Sequence, residues 1–175
     1  RDEVESYSEA YGGSHTVEAF TKADLGFDLG GYLLKDSLWF FAAYDLVAND
    51  EDWRVAKDFT GYGGPPEGKI YVQEQEQHLW SGKLTWRLAD SHSLIASAFG
   101  DPRTTQGPMK ELNGEESTFL GDSEGGGDTA MLRWEGVLGS SLVVDAQVSR
   151  YRLSTATRSP WLAEPQLQDY TTPLF

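Results

Sequence analysis

Three histidines and a surplus of carboxylates are the residues that could do chemistry in this 175-residue chain. His15, His78 and His92 are too scattered for the i, i+4 spacing that puts two imidazoles on one metal. Glycosidic hydrolysis needs two carboxyl groups flanking one sugar bond at a set separation. The acids here come as runs, Asp50-Glu51-Asp52 and Glu115-Glu116, which read as hydrated loop charge and select no such pair. Asp122-Ser123-Glu124-Gly125-Gly126-Gly127-Asp128 weakly resembles a calcium loop but lacks EF-hand ligand spacing, and a solvated acidic turn is the simpler reading. With no cysteine there is no disulfide frame, thiolate nucleophile or Cys-based zinc site. No GxSxG, HExxH, Walker A or dinucleotide-binding glycine pattern occurs. The expectation is a protein that is not an enzyme, with no catalytic residue, metal site or cofactor.

Charge and composition narrow the class further. Fourteen basic against 28 acidic side chains give a net charge of −14, the wrong field for a nucleic-acid partner. Aromatics make up 13% of the chain, which argues for a folded protein despite that charge. The chain opens on Arg1-Asp2-Glu3 without a basic and then apolar leader, so it is read as an internal segment.

What must position any site is a set of strands. Period-two alternation recurs in pairs of segments of about ten residues. Leu25, Phe27, Leu29 and Leu33 oppose Gly26, Asp28 and Gly30; after Lys35-Asp36-Ser37 the chain returns through Leu38, Phe40, Ala42, Tyr44 and Leu46. Trp80, Gly82, Leu84, Trp86 and Leu88 alternate with Ser81, Lys83, Thr85 and Arg87, and Leu94, Ala96 and Ala98 follow the turn. Ala130, Leu132, Trp134 and Leu138 alternate with Thr129, Arg133 and Glu135, then Leu142, Val144, Ala146 and Val148 with Asp145, Gln147 and Ser149. This predicts hairpins over about 24–47, 78–100 and 128–151 in one domain, an all-β antiparallel up-and-down meander of about six strands.

Short turns alternate with two long polar connections, about 48–77 and 101–127. Loops of that length are rare in compact domains unless functional. Segments of this length, apolar on one face and polar on the other, with short turns at one end and long loops at the other, match a slice of a large transmembrane β-barrel. Lys83, Arg87, Arg133, Glu135 and Asp145 are then lumen-facing, while Trp39, Tyr44, Trp80, Trp86 and Trp134 form lipid-facing aromatic girdles. Trp53, Tyr62 and Tyr71 are candidate ligand-facing aromatics of the first loop, although packing of that loop on itself is the plainer role. A soluble sandwich also alternates on one face, so a secreted acidic β-sandwich that binds glycans through loop aromatics is the alternative. A propeller repeat would need four strands per unit where two are readable.

The stretch from Asp24 to Tyr44, with Leu38-Trp39-Phe40-Phe41-Ala42-Ala43-Tyr44 after the Lys35-Asp36 turn, resembles a barrel segment of TonB-dependent outer-membrane receptors. The nearest branch is the Oar-like group, whose members carry a carboxypeptidase-regulatory-like domain before the plug. Leu79 to Arg87 and Leu132 to Ser141 are similar to the same family, so the resemblance spans about Ala23 to Tyr151. Tyr32 stands where the family usually has Pro. The resemblance implies a fragment of a Gram-negative receptor that transports an unidentified extracellular ligand across the cell outer membrane. Its partners would be outer-membrane lipid, that ligand, and the TonB complex through a plug domain absent from this chain. Barrels of this size have about 22 strands, so six make a partial wall.

Overall fold

The computed structural model describes residues 13–57, 64–112 and 114–158. They form one antiparallel sheet: β1 His15–Leu34, β2 Leu38–Val55, β3 Ile70–Ala89, β4 His92–Gly100, β5 Arg103–Pro108, β6 Leu120–Leu138 and β7 Leu142–Arg158. A four-residue helix, α1 Glu116–Phe119, precedes β6. No helix among these residues is long and apolar enough to cross a membrane, which says nothing of strands.

The chain runs as a meander. β1 pairs β2 and β2 pairs β3; β3 pairs both β4 and β5, both of these pair β6, and β6 pairs β7. β4 and β5 are therefore one strand interrupted at Asp101-Pro102, where proline offers no N–H to the ladder. The register does not slip across the break. Gly100 faces Trp80 and Asp128, and Arg103 faces Gln77 and Gly125. Bridging bonds hold it: His78 N donates to Pro102 O at 2.9 Å, and Gly127 N donates to Asp101 Oδ1 at 2.7 Å. Gly126 sits opposite with φ +124, and a Cβ there would lie 2.5 Å from Asp101 O. A glycine is required at that point.

The three hairpins lie inside longer strands, and this corrects the expected loops. Residues 48–55 and 70–77 pair as strand, as do 103–108 and 120–127, so the connections shrink to 56–69 and 109–119. The physical reason is chemical. Gln73, Gln75 and Gln77 alternate with Glu74 and Glu76, so both faces are polar and hydropathy is silent while the backbone ladder continues. The Asp122–Asp128 run, read as an acidic turn, is likewise inside β6.

Among the described residues one small core closes, at the loop end. Val55, Tyr71, Leu112 and Phe119 are buried together, with Trp53 and Leu120 against them. Elsewhere the sheet is a single layer.

Candidate functional site

The register sorts the sheet into two faces. On one lie Leu25, Phe27 and Leu29, then Tyr44, Trp80, Leu84, Trp86, Leu132, Trp134 and Val148. On the other lie Lys83, Thr85, Arg87, Arg133, Glu135 and Asp145. The apolar face is left open rather than covered, unlike that of a soluble half-buried sheet. Leu84, Leu132 and Val148 are 45%, 43% and 66% exposed, whereas Ser123, Gly125, Gly127, Thr129, Met131, Arg133 and Glu135 on the polar side of β6 are half-buried. No second sheet among the described residues covers the apolar side.

The polar side is concave. A hollow of about 600 Å³ is lined by Asp28 of β1, Asp45 of β2, Phe99 of β4 and Tyr151 of β7, so strands from one edge of the sheet to the other share it. Curvature toward this face crowds its side chains and spreads those of the apolar face.

The apolar band runs diagonally. Its last large side chains toward the loop end are Leu25 on β1, Leu46 on β2, Trp80 on β3, Leu132 on β6 and Val148 on β7. Leu25 pairs Leu46, and Leu46 pairs His78. The row of Val148 instead runs through Leu132, Ala96, Leu84 and Phe40 to Gly31. From β1 to β7 the boundary thus falls by roughly 20 Å along the strands over roughly 24 Å across them, a slope of roughly 40°. The turns step the same way: Ser37 in the first is level with Arg87, ahead of the second turn at 90–91, and Ser91 is level with Val137, ahead of the third at 139–141.

Aromatic residues lie in two cross-strand rows on the apolar face. Tyr44 and Trp80 pair in one row and Trp86 with Trp134, through Leu94, in another, roughly 20 Å apart along β3. Tyr44 also meets His78, Oη to Nδ1 at 2.5 Å. Trp39 departs from the expected grouping. It pairs Thr85, so it lies on the charged face, with the Arg87 guanidinium 5.4 Å from its ring centre. Leu38-Trp39-Phe40-Phe41 is apolar on both faces, and alternation alone could not assign it.

Three of the five expected lumen residues are brought together. Arg133 Nε donates to Asp145 Oδ1 at 2.9 Å and Nη2 to Oδ2 at 2.5 Å, a two-pronged grip across β6 and β7, and Nη2 is 2.9 Å from Glu135 Oε1. These charges brace the wall. Lys83 and Arg87 are exposed and form no ion pair among the described residues.

The expected ligand-facing aromatics do something else. Trp53 stacks on His15, ring centres 3.8 Å apart, and its Nε1 donates to Glu51 Oε2 at 3.1 Å. Tyr71 is buried, edge-on to Phe119 at 5.2 Å, and its hydroxyl donates to Glu116 Oε1 at 2.8 Å. Both pack the 109–119 segment over the loop end; Tyr62 lies outside the described residues. The residues missed by sequence reasoning are the polar anchors of this cap. Glu111 Oε2 accepts from Ser14 N at 3.1 Å and from Ser14 Oγ, which in turn accepts from Leu112 N at 2.8 Å. Lys69 Nζ donates to Glu116. The Ser14 hydroxyl holds the Glu111 carboxyl below the usual carboxylate range, Lys69 and Tyr71 do the same for Glu116, and burial pushes His15 down. Among the described residues no three His, Asp or Glu side chains converge as metal ligands would.

No protein-family profile matches the chain. No solved structure matches it either. One curated protein does. The chain is 28% identical over 101 residues to the TonB-dependent transporter Oar of Myxococcus xanthus, covering 48% of this chain and 10% of the transporter. The chain thus spans about a tenth of the length of the relative it matches.

Proposed function

We propose that this chain is part of the wall of a TonB-dependent outer-membrane transporter, a non-enzymatic receptor, with its apolar face in lipid and its charged face toward the lumen. The observation that carries this reading is the diagonal band. An apolar belt must lie flat in a membrane, so strands crossing it at roughly 40° from its normal have the tilt of transmembrane β-barrel strands, about 35–45°. Trp80, with Tyr44 paired beside it, lies at the loop-end border, where membrane–water interfaces favour aromatic rings. Similarity to the Myxococcus transporter supports the same class.

On this reading Lys83, Arg87, Arg133, Glu135 and Asp145 line the lumen, and the capped end of the sheet faces outward. TonB would act through a plug carried by the rest of the receptor. The edges β1 and β7 need neighbouring strands, because open ladder groups in lipid are costly.

The reading is testable by single-cysteine spin labelling of the whole receptor in bilayers, with any cysteine outside this chain replaced, since the chain itself contributes none. Labels at Leu84, Leu132 and Val148 are expected to collide mainly with lipid-dissolved oxygen, and labels at Ser97, Met131 and Ser149 with an aqueous nickel chelate. Aqueous access at both sets of positions would rule the reading out.

A further inference from the structure

The outer face, the one that carries the apolar band, has a hollow of its own above the band. It measures about 420 Å³ and opens where side chains are small, at Pro102, Gly126, Ser154 and Ala156. Pairing places its larger side chains on that face: His78 is beside Leu46, and Asp128 and Arg152 share the row of Trp80 through Gly100. Trp80 walls the lower end. Its indole lies over Gly100, where a Cβ would come within 2.6 Å of Nε1, and 37% of Trp80 stays exposed.

The charges on this face divide by height. Arg150 and Arg152 lie one and two steps beyond Val148, the last large apolar residue of β7 on this face before the polar end. Neither makes an ion pair among the described residues, and neither does Asp128 beside Arg152. Of the other charges around the hollow, His78 lies 2.8 Å from Glu76 and Glu124 3.8 Å from Arg158. Arg103 borders it at the Pro102 break, although its pairing puts it on the opposite face. Glu124 and Asp122 stand four and six residues beyond Asp128 on β6, roughly 13 Å or more along the strand. The low end is therefore cationic, two guanidiniums to one carboxylate, while Thr104 and Ser154 bring hydroxyls higher up. With strands tilted by roughly 40°, Arg150, Arg152 and Ser154 stand about 5, 10 and 15 Å above the band at Val148. A phospholipid headgroup layer is only about 5–8 Å deep, so whatever fills the hollow is taller than a phospholipid headgroup.

We propose that this hollow, with Arg150 below it, holds the headgroup of a phosphorylated glycolipid from the surrounding membrane. The occupant is a lipid because the hollow is continuous with the lipid-facing band. Its phosphate sits low, between the Arg150 and Arg152 guanidiniums, whose planar forks suit phosphate oxygens. Its sugars stand above. Their hydroxyls donate to Asp128 and exchange bonds with Thr104 and Ser154, and a ring C–H face lies on the Trp80 indole. A strand added beside β7 leaves both arginines on the same face. The inference deepens the transporter reading and rests on it.

The test is lipid titration into the whole receptor folded in micelles, with bound lipid counted by native mass spectrometry. The probes are lipid A (a diphosphorylated glucosamine-disaccharide lipid), a neutral diglycosyl lipid and phosphatidylglycerol. Lipid A is expected to bind at least about tenfold more tightly than either of the others, and an Arg150→Gln/Arg152→Gln variant to lose at least about tenfold of that affinity while its heat-modifiable gel shift is unchanged. Ser154→Trp, which fills the hollow and keeps every charge, is expected to weaken lipid A as well. Equal binding of the three lipids, binding of none, or undiminished lipid A binding by either variant would overturn the proposal. Should the receptor fold without micelles, the transporter reading falls with it; micelle-dependent folding without a preference for lipid A removes this inference alone.

Discussion

An arginine in place of Leu84 is expected to cost the folded receptor about 2–4 kcal/mol in a bilayer. Leu84 lies between Trp80 and Trp86, in the row Phe40, Ala96, Leu132 and Val148, which places it inside the band on the apolar face. A guanidinium there faces hydrocarbon with no polar partner. The same substitution at Glu124, on the same face of β6 but beyond the band, is expected to change stability by less than about 1 kcal/mol, because the penalty vanishes near the interface. Urea titration of the receptor refolded into vesicles measures both. The contrast separates membrane from water: for a soluble sheet, Leu84 at 45% exposure is a surface position, and its replacement would stay within about 0.5 kcal/mol.

Replacing Phe119 with alanine is expected to destabilise the cap by about 3–5 kcal/mol, the usual range for a buried phenylalanine. Phe119 is 1% exposed and shares with Val55, Tyr71 and Leu112 the one buried apolar cluster among the described residues. Nothing else of that kind holds 109–119 down, so the loss falls there and not on the turn end of the sheet. Hydrogen exchange at 110–119 is expected to quicken strongly while that of β6–β7 near 132–148 is unchanged. Acid acts on the same segment. Glu111 and Glu116 are held below their ordinary value of 4.5 and His15 below 6.5. A group depressed on folding takes up its proton first in the open form, so its stabilisation is complete above its unfolded value and is lost as pH falls. Protection of the cap, meaning exchange corrected for the intrinsic amide rate at each pH, is therefore expected to fall as pH drops below about 6.5, and more steeply below about 4.5. Protection that rose on acidification would contradict these anchors.

The strand pairs and their faces were legible because Trp80–Leu88, Ala130–Leu138 and Leu142–Val148 alternate large apolar with polar residues, which is a direct readout of a two-sided sheet. The same criterion failed at both extremes of composition. Where every residue is apolar, at Leu38–Phe41, it could not say that Trp39 joins Arg87. Where every residue is polar, at Gln73–Gln77 against Asn49–Asp52, it marked strand as loop. The Asp101-Pro102 break and the Gly125–Gly127 run each look like turns alone; only their pairing shows that one accommodates the other. The cap escaped notice because Ser14, Glu111 and Phe119 are far apart in sequence and none carries a pattern. The diagonal course of the band needed the register, which no single strand contains.

The most direct test of a membrane-spanning wall is whether folding depends on an apolar phase. The whole receptor, unfolded in urea and diluted with or without micelles, would be followed by β-sheet circular dichroism and by the gel shift between unheated and boiled samples. The expected result is cooperative sheet formation and a heat-modifiable band only when micelles are present. Equally cooperative folding in plain buffer, with no gel shift, would contradict a lipid-facing role for Leu84, Leu132 and Val148.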